Sequence, residues 1–228
     1  MNRKQILYTI VAIAVIALGI ASYLYYAKSS GADALADTGS SGTSVKLTSA
    51  DHTLGSPKAP VQFVEYAAPS CPHCAHWNEE VFPQLKKAYI DTGKVYYVFR
   101  VFPLSSVDVA VEAMAECLPK SSYFQFIEMM FRNQDKWDPD GYQIPDVHAA
   151  LINMGRIAGM SAEKVDSCIS NQDQLNKIAA VGEQANKSWG INSTPSFIAD
   201  GIMTRDPVTW DGAQTVIDGA LKKKKSGS

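Results

Sequence analysis

Hydrophobic and polar positions divide the chain into stretches with different periods. From Ile6 to Ala27 it is almost uncharged and mostly apolar. That is long enough to cross a bilayer, which takes about 20 residues. Arg3 and Lys4 come first and are expected to stay cytoplasmic, which sends the rest of the chain outward. An uncleaved membrane anchor over 1–27 is the expectation. A cleaved signal peptide is the rival, with Ala34-Leu35-Ala36 as a small-x-small site set far beyond the apolar run. Lys28 to Ser44 is rich in Gly, Ser and Ala with no apolar period, and reads as a flexible tether reaching roughly 25 Å on average.

The period changes from Val45 onward. Gly55-Ser56-Pro57-Lys58-Ala59-Pro60 is a turn cluster. Val61 to Tyr66 is apolar and β-branched and predicts a buried strand. Pro72 to about Ile90 has a helical pattern, with Pro72 suited to the first turn and Pro83 expected to kink it. Gly93 ends that segment, and Lys94 to Val101 predicts a second strand. Helical patterns follow at 107–117, 123–133, 145–158, 162–169 and 174–189, and Gly190 and Thr194-Pro195 stop the run. Ser196 to Ala199 is a short strand, Asp200-Gly201 a hairpin turn and Ile202-Met203 its return. Thr209 can cap a last helix from Trp210 to Leu221. A βαβ unit, a helical block and a ββα unit together predict an α/β fold with an inserted helical domain. One domain is then built from 45–103 and 190–221, the insertion spans 104–189, and 222–228 is a polar tail.

Composition narrows the function classes. Of the 228 residues 46% are hydrophobic, too many for a disordered chain. A net charge of -2 argues against nucleic acid as a partner, because phosphate binding needs a basic face. Lys222 to Lys225 is the one basic run. It reads as solvated, with contact to anionic lipid headgroups as the alternative. The four cysteines are Cys71, Cys74, Cys117 and Cys168. In an exported protein, Cys-x-x-Cys raises redox chemistry, and further cysteines raise a structural disulfide.

Cys71-Pro72-His73-Cys74 carries the chemistry. A thiol attacks only as thiolate. Cys71 falls at a predicted helix amino terminus, where unpaired N–H groups and the positive end of the helix dipole favour an anion. His73 can add a hydrogen bond or a positive charge. A pair whose thiolate is stabilised on reduction is the more oxidising one. Cys74, one turn on, faces inward and suits a resolving thiol. Glu65, on the preceding strand, is a candidate proton acceptor or donor for it, through water if needed. An ordinary surface carboxylate is the alternative, and the buried strand suggested by its neighbours Val64 and Tyr66 favours the functional reading. Zinc would need four ligands, and Cys71, Cys74 and His76 offer three, so no metal is expected.

Phe63-Val64-Glu65-Tyr66-Ala67-Ala68-Pro69-Ser70-Cys71-Pro72-His73-Cys74 resembles the active-site region of the DsbA family of thioredoxin-fold proteins. The resemblance runs from about His52 to Leu221, and the helical block matches that family's inserted domain. Gly190 to Phe197 resembles the family's second landmark, a loop ending in a cis-proline opposite the active site. By this resemblance Cys71 is the nucleophile, Cys74 the resolving thiol, and Pro72 and His73 tune the pair. Glu65 is the buried acid, and the Thr194–Pro195 bond is cis. Thr194 then offers its backbone N–H and C=O to an extended substrate segment, in the manner of an added strand. The resemblance further implies no metal or organic cofactor, reduced exported polypeptides as substrates, and reoxidation by a quinone-linked membrane protein of the DsbB or vitamin K epoxide reductase-like kind. The location it implies is the bacterial cell envelope, facing the periplasm, anchored in the inner membrane or soluble after signal cleavage.

The chain departs from the oxidase pattern in two places. Thr194 stands where a well-known oxidase pattern has valine, and threonine is common in reducing and isomerising relatives. Asn78, beside Glu79, replaces an acid that some oxidases carry in the active-site helix. A dithiol oxidase is the leading reading, a disulfide reductase or isomerase the second, and a non-enzymatic chaperone for exported chains a third of another class. Cys117 and Cys168, on predicted helices of the insertion, are expected to form a second disulfide, worth about 2–4 kcal/mol. Two buried free thiols are the alternative. Met129-Met130 with Tyr123, Phe124, Phe126 and Phe131 reads as helical core, with an apolar peptide groove as the alternative.

Overall fold

The computed structural model describes residues 44–48 and 51–226. The anchor expected over 1–27 and, but for Ser44, the tether over 28–44 lie outside the described residues. Among those described, no helix is long and apolar enough to cross a membrane.

A five-stranded mixed sheet forms the centre. Its strands are β1 (His52–Leu54), β2 (Val61–Ala67), β3 (Val95–Val101), β4 (Ser196–Ala199) and β5 (Ile202–Thr204), in the order β1-β3-β2-β4-β5. β2 lies centrally, parallel to β3 and antiparallel to β4, with Phe63 opposite Tyr97 on one side and Ala199 on the other. Every residue of β2 but Gln62 is buried, as expected of a strand covered on both faces. Alternation along β2 divides the core. Phe63 and Ala67 face the larger cluster with Trp77, Tyr97, Phe99 and Met114. Val64 and Tyr66 face a smaller one with Val45, Val98, Ile191 and Ile198. Period two puts Glu65 on the Phe63 side, under the active-site helix. The three residues of β1 are too few to show an alternation, and no strand is predicted there.

The helix predicted from Pro72 to Ile90 is three pieces. α1 (Pro72–Glu80) ends at Val81, α2 (Phe82–Leu85) follows, and a π-helical turn covers Lys86–Ile90. The break falls two residues before Pro83, because proline lacks an N–H for the carbonyl four residues back and crowds the residue before it.

The insertion holds α3 (Ser106–Glu116), α4 (Tyr123–Arg132), α5 (Val147–Ile157), α6 (Ala162–Ile169) and α7 (Gln172–Trp189). Side-chain caps fix several starts. Asp146 Oδ1 accepts the Ala149 N–H at 2.9 Å, so α5 begins after the predicted Pro145. Asn171 Oδ1 accepts the Gln174 N–H at 3.3 Å, so α7 begins before the predicted Gln174. Cys117, at the end of α3, is joined to Cys168 in α6, with S–S 1.99 Å and Cα–Cα 6.2 Å. Tyr123, Phe126, Met130 and Phe131 are buried in the larger core, with Phe124 and Met129 packed against it. The last helix, α8 (Trp210–Ser226), runs past Leu221 through the lysines read as tail. Positive charge suits the carbonyl end of a helix, which is why the run continues it.

Candidate active site

Three segments meet at Cys71. β2 delivers the chain to the Ala68–Ser70 loop, α1 starts on Cys71, and the segment before β4 approaches from the other side. Cys71 is the N-cap of α1, in extended backbone at φ -73° and ψ 116°, with Pro72 in the first turn. Its Sγ accepts the Cys74 N–H at 3.3 Å, and the same N–H also donates to the Cys71 carbonyl at 3.1 Å. Its S–H donates to the Thr194 carbonyl at 3.5 Å. The hydrogen bond from the Cys74 thiol is the largest of the influences that hold the Cys71 thiol down at about 6. Burial opposes it, and Thr194 and the N–H groups of Cys74 and His73 add to it. Pro72 and His73 are exposed at the mouth.

Cys74 is the opposite kind of thiol. It is fully buried, and burial, the hydrogen bond to Cys71 and the charges of Cys71 and Glu65 push its pKa well above the ordinary thiol range. Both cysteines are free thiols here, so this is the reduced state. Glu65 is 1% exposed. Its Oε2 accepts the Tyr97 O–H at 2.5 Å, and its Oε1 is buried with no hydrogen-bond partner. Burial lifts the Glu65 carboxyl to about 8, against the Tyr97 bond, with a smaller push from Cys71. A buried carboxyl with that pKa and a free oxygen can hold a proton near neutrality and release it.

The Thr194–Pro195 peptide bond is cis. Pairing of Tyr66 with Ser196 and of Glu65 with Phe197 seats this bond beside the loop that leaves β2. Pro195 is buried and Thr194 half-buried. The structure thus brings Cys71, Cys74, Thr194 and Pro195 to one place, with Glu65 beneath. Cys117 and Cys168 lie in the insertion, in a bond of their own.

Tyr97, Asp108 and Gln134 are missing from the sequence reading. Tyr97 was legible as a strand residue, but its pairing with Glu65 depends on the parallel register of β2 and β3. Asp108 and Gln134 bond to the loop just before Cys71. Ser105 with Asp108 three residues on was a legible helix-start pattern, though nothing in it points to the loop.

Such a fold and site define a thioredoxin-fold chain with a dithiol centre at a helix start. Residues 47–219 match the family model described as Thioredoxin. A Rickettsia felis protein named as a protein-disulfide oxidoreductase is 34% identical over 183 residues, covering 79% of this chain and 63% of that protein. A Bacillus cereus disulfide bond formation protein D is 28% identical over 179 residues, covering 77% of this chain and 81% of the relative. Among solved structures, Wolbachia pipientis alpha-DsbA1 superposes with a TM-score of 0.69 at 28% identity, over 78% of this chain and 94% of that one. The protein-disulfide isomerase of Novosphingobium aromaticivorans gives 0.68 at 27%, over 77% and 99%. The chain belongs to the thioredoxin family, with the DsbA-like proteins that carry a helical insertion. It spans less than two thirds of the length of the Rickettsia felis relative.

Proposed function

We propose that this chain is an extracytoplasmic thiol:disulfide oxidoreductase that donates disulfides to exported polypeptides. The observation that carries the reading is the asymmetry of two buried thiols: Cys71, 4% exposed beside the exposed Pro72 and His73, held down at about 6, and Cys74, with no exposed surface, pushed far up. A centre whose outer thiolate is stable gives its disulfide away readily. The names of the Rickettsia and Bacillus relatives support the same reaction class.

In the forward reaction the pair starts oxidised. A substrate thiolate attacks Cys71 Sγ, the Cys71–Cys74 bond breaks, and Cys74 leaves as a thiolate. Cys74 and Glu65 are close enough to feel each other's charge, so Glu65 is the group to supply the proton that makes Cys74 a thiol. A second substrate thiolate then attacks the substrate sulfur of the mixed disulfide, and Cys71 departs as the thiolate that Cys74 N–H stabilises. Two electrons pass from substrate to enzyme, and the substrate keeps the disulfide. Pro72 and His73 tune the pair from the mouth. Thr194 and Pro195 present backbone to an extended substrate segment, and Cys117–Cys168 remains structural.

Reduced exported polypeptides are the substrates in this reading, and a quinone-linked membrane protein restores the disulfide. Anchoring through 1–27, with 28–44 as tether, would hold the domain near that partner outside the cytoplasm. No metal or organic cofactor takes part.

Equilibrating Cys71–Cys74 with a glutathione buffer, and presenting the oxidised chain to a reduced unfolded protein, tests the direction. Reduction of the pair by mild glutathione together with oxidation of the substrate is expected. A potential near that of a reducing thioredoxin, with substrate left reduced, would replace this reading by the reductase one.

A further inference from the structure

The loop that feeds Cys71 into α1 is held by two side chains of the helical insertion. Asp108, in the first turn of α3, has no exposed surface. Its Oδ1 accepts the Ser70 N–H at 2.8 Å, and its Oδ2 accepts the Ser70 hydroxyl at 3.0 Å. Oδ2 also accepts the N–H groups of Leu104 at 2.9 Å and Ser105 at 3.1 Å. Four donors therefore reach this carboxylate, one at Oδ1 and three at Oδ2, about as many as an ionised carboxylate has acceptor positions. Gln134, just past the end of α4, is buried and donates its Nε2–H to the Pro69 carbonyl at 2.7 Å. Pro69 and Ser70, the two residues before the nucleophile, are therefore each fixed from a different part of the insertion.

Burying a carboxylate is unfavourable unless its lone pairs are used, and an apolar residue of similar volume would fill the place at lower cost. Two of the four bonds to Asp108 start α3. The other two go to a residue 38 positions away, next to Cys71. Because Cys71 is the N-cap of α1, the position of its sulfur over the Cys74 N–H depends on where residues 69 and 70 lie.

We propose that Asp108 and Gln134 are positioning residues for the redox centre, locking the Pro69–Ser70 turn so that the Cys71 sulfur stays on the Cys74 N–H and sets the redox balance of the pair. The insertion then does more than cover the sheet: it determines how oxidising the centre is. This inference rests on Cys71–Cys74 being the exchanging pair.

The test uses the full chain with Asp108→Asn, Gln134→Leu and Ser70→Ala, and with Ile127→Ala as a control. Ile127 is a buried core residue of α4. Its truncation lowers the melting temperature through packing. The readouts are the pH titration of the Cys71 thiolate by ultraviolet absorbance and the glutathione equilibrium of the pair. Asp108→Asn and Gln134→Leu are each expected to raise the thiolate midpoint by about one pH unit toward the free-thiol value. The same loss moves the glutathione equilibrium about tenfold toward the disulfide form. Ser70→Ala, which removes one bond of the four, moves both readouts the same way by less. Ile127→Ala moves neither.

Folded Asp108→Asn and Gln134→Leu proteins that titrate like the unmodified chain would overturn the inference, as would an equal shift in Ile127→Ala. If Asp108→Asn does not fold, Gln134→Leu and Ser70→Ala decide it on the same criteria. An unmodified chain whose Cys71 titrates as an ordinary thiol and does not exchange with glutathione overturns the redox reading itself, and this inference with it.

Discussion

Cys71 and Cys74 differ because one caps a helix and the other lies one turn inside it. Cys71→Ala is expected to abolish exchange. Cys74→Ala is expected to leave a chain that accumulates mixed disulfides at Cys71, visible as adducts by mass spectrometry without reductant. Titrating the reduced chain should show one thiolate appearing near pH 6, with Cys74 still protonated far above it. Glu65 should act on the proton that Cys74 takes and returns. Glu65→Gln is expected to slow the first attack on Cys71, the step in which Cys74 leaves and takes its proton, by about 10²-fold, within the range a positioned acid–base group contributes. Release of the mixed disulfide by the second substrate thiolate should be nearly unchanged, and stopped-flow measurement of the two steps separates them. At this scale the motif was readable from spacing, since Pro72 after Cys71 and the helical period beyond it predict a helix start. Glu65 was readable as a proton-transfer candidate from its place on a buried strand, with a surface carboxylate as the alternative, because such a strand does not by itself say whether its one acid is exposed. Its partner Tyr97 depends on a register that local sequence does not encode.

At the scale of elements, two buried acids give stability a pH dependence. Glu65 on β2 and Glu112 on α3 are both lifted to about 8, chiefly by burial. Glu112 accepts the Tyr123 O–H at both oxygens, at 2.9 and 2.8 Å. Tyr123 stacks on His52, which bonds Glu116 at 2.7 Å. When a folded pKa lies above the unfolded one, the native state holds the proton longer. Each such acid therefore adds stability that is complete below about pH 4.5 and lost as pH rises to about 8. The slope in that window approaches 1.4 kcal/mol per pH unit per group. Cys71 has the opposite sign: its lowered pKa adds stability to the reduced form as pH rises from about 6 toward 9. Urea unfolding at several pH values should show Glu112→Gln flattening the fall between pH 5 and 8. The helices of the insertion were visible from apolar period, and their ends moved where Asp146 and Asn171 supplied caps. The split at Val81 and the short β1 were not visible. The first depends on how one proline is accommodated, and the second on pairing with β3.

For the whole molecule, the second disulfide connects α3 to α6 within the insertion. Replacing Cys117 and Cys168 together by alanine is expected to cost about 2–4 kcal/mol of stability. It should leave the Cys71 thiolate midpoint where it was, which thermal melting and titration of one preparation would establish. The order βαβ, helices, ββα was readable along the chain, and with it the insertion of one domain into another. The sheet order was not, because placing β4 beside β2 needs the chain to return across the whole insertion. That return brings the Thr194–Pro195 bond to Cys71.

Trp77 adds an optical consequence. It sits one turn after Cys74 on the same buried side of α1, against Phe82 and Phe197, with its indole N–H on the Pro207 carbonyl at 2.6 Å. Sulfur in a disulfide quenches indole emission at short range. Trp77 emission is therefore expected to rise when Cys71–Cys74 is reduced, a change that Trp77→Phe should remove, so that turnover can be followed in a fluorimeter without label, dye or coupled reaction.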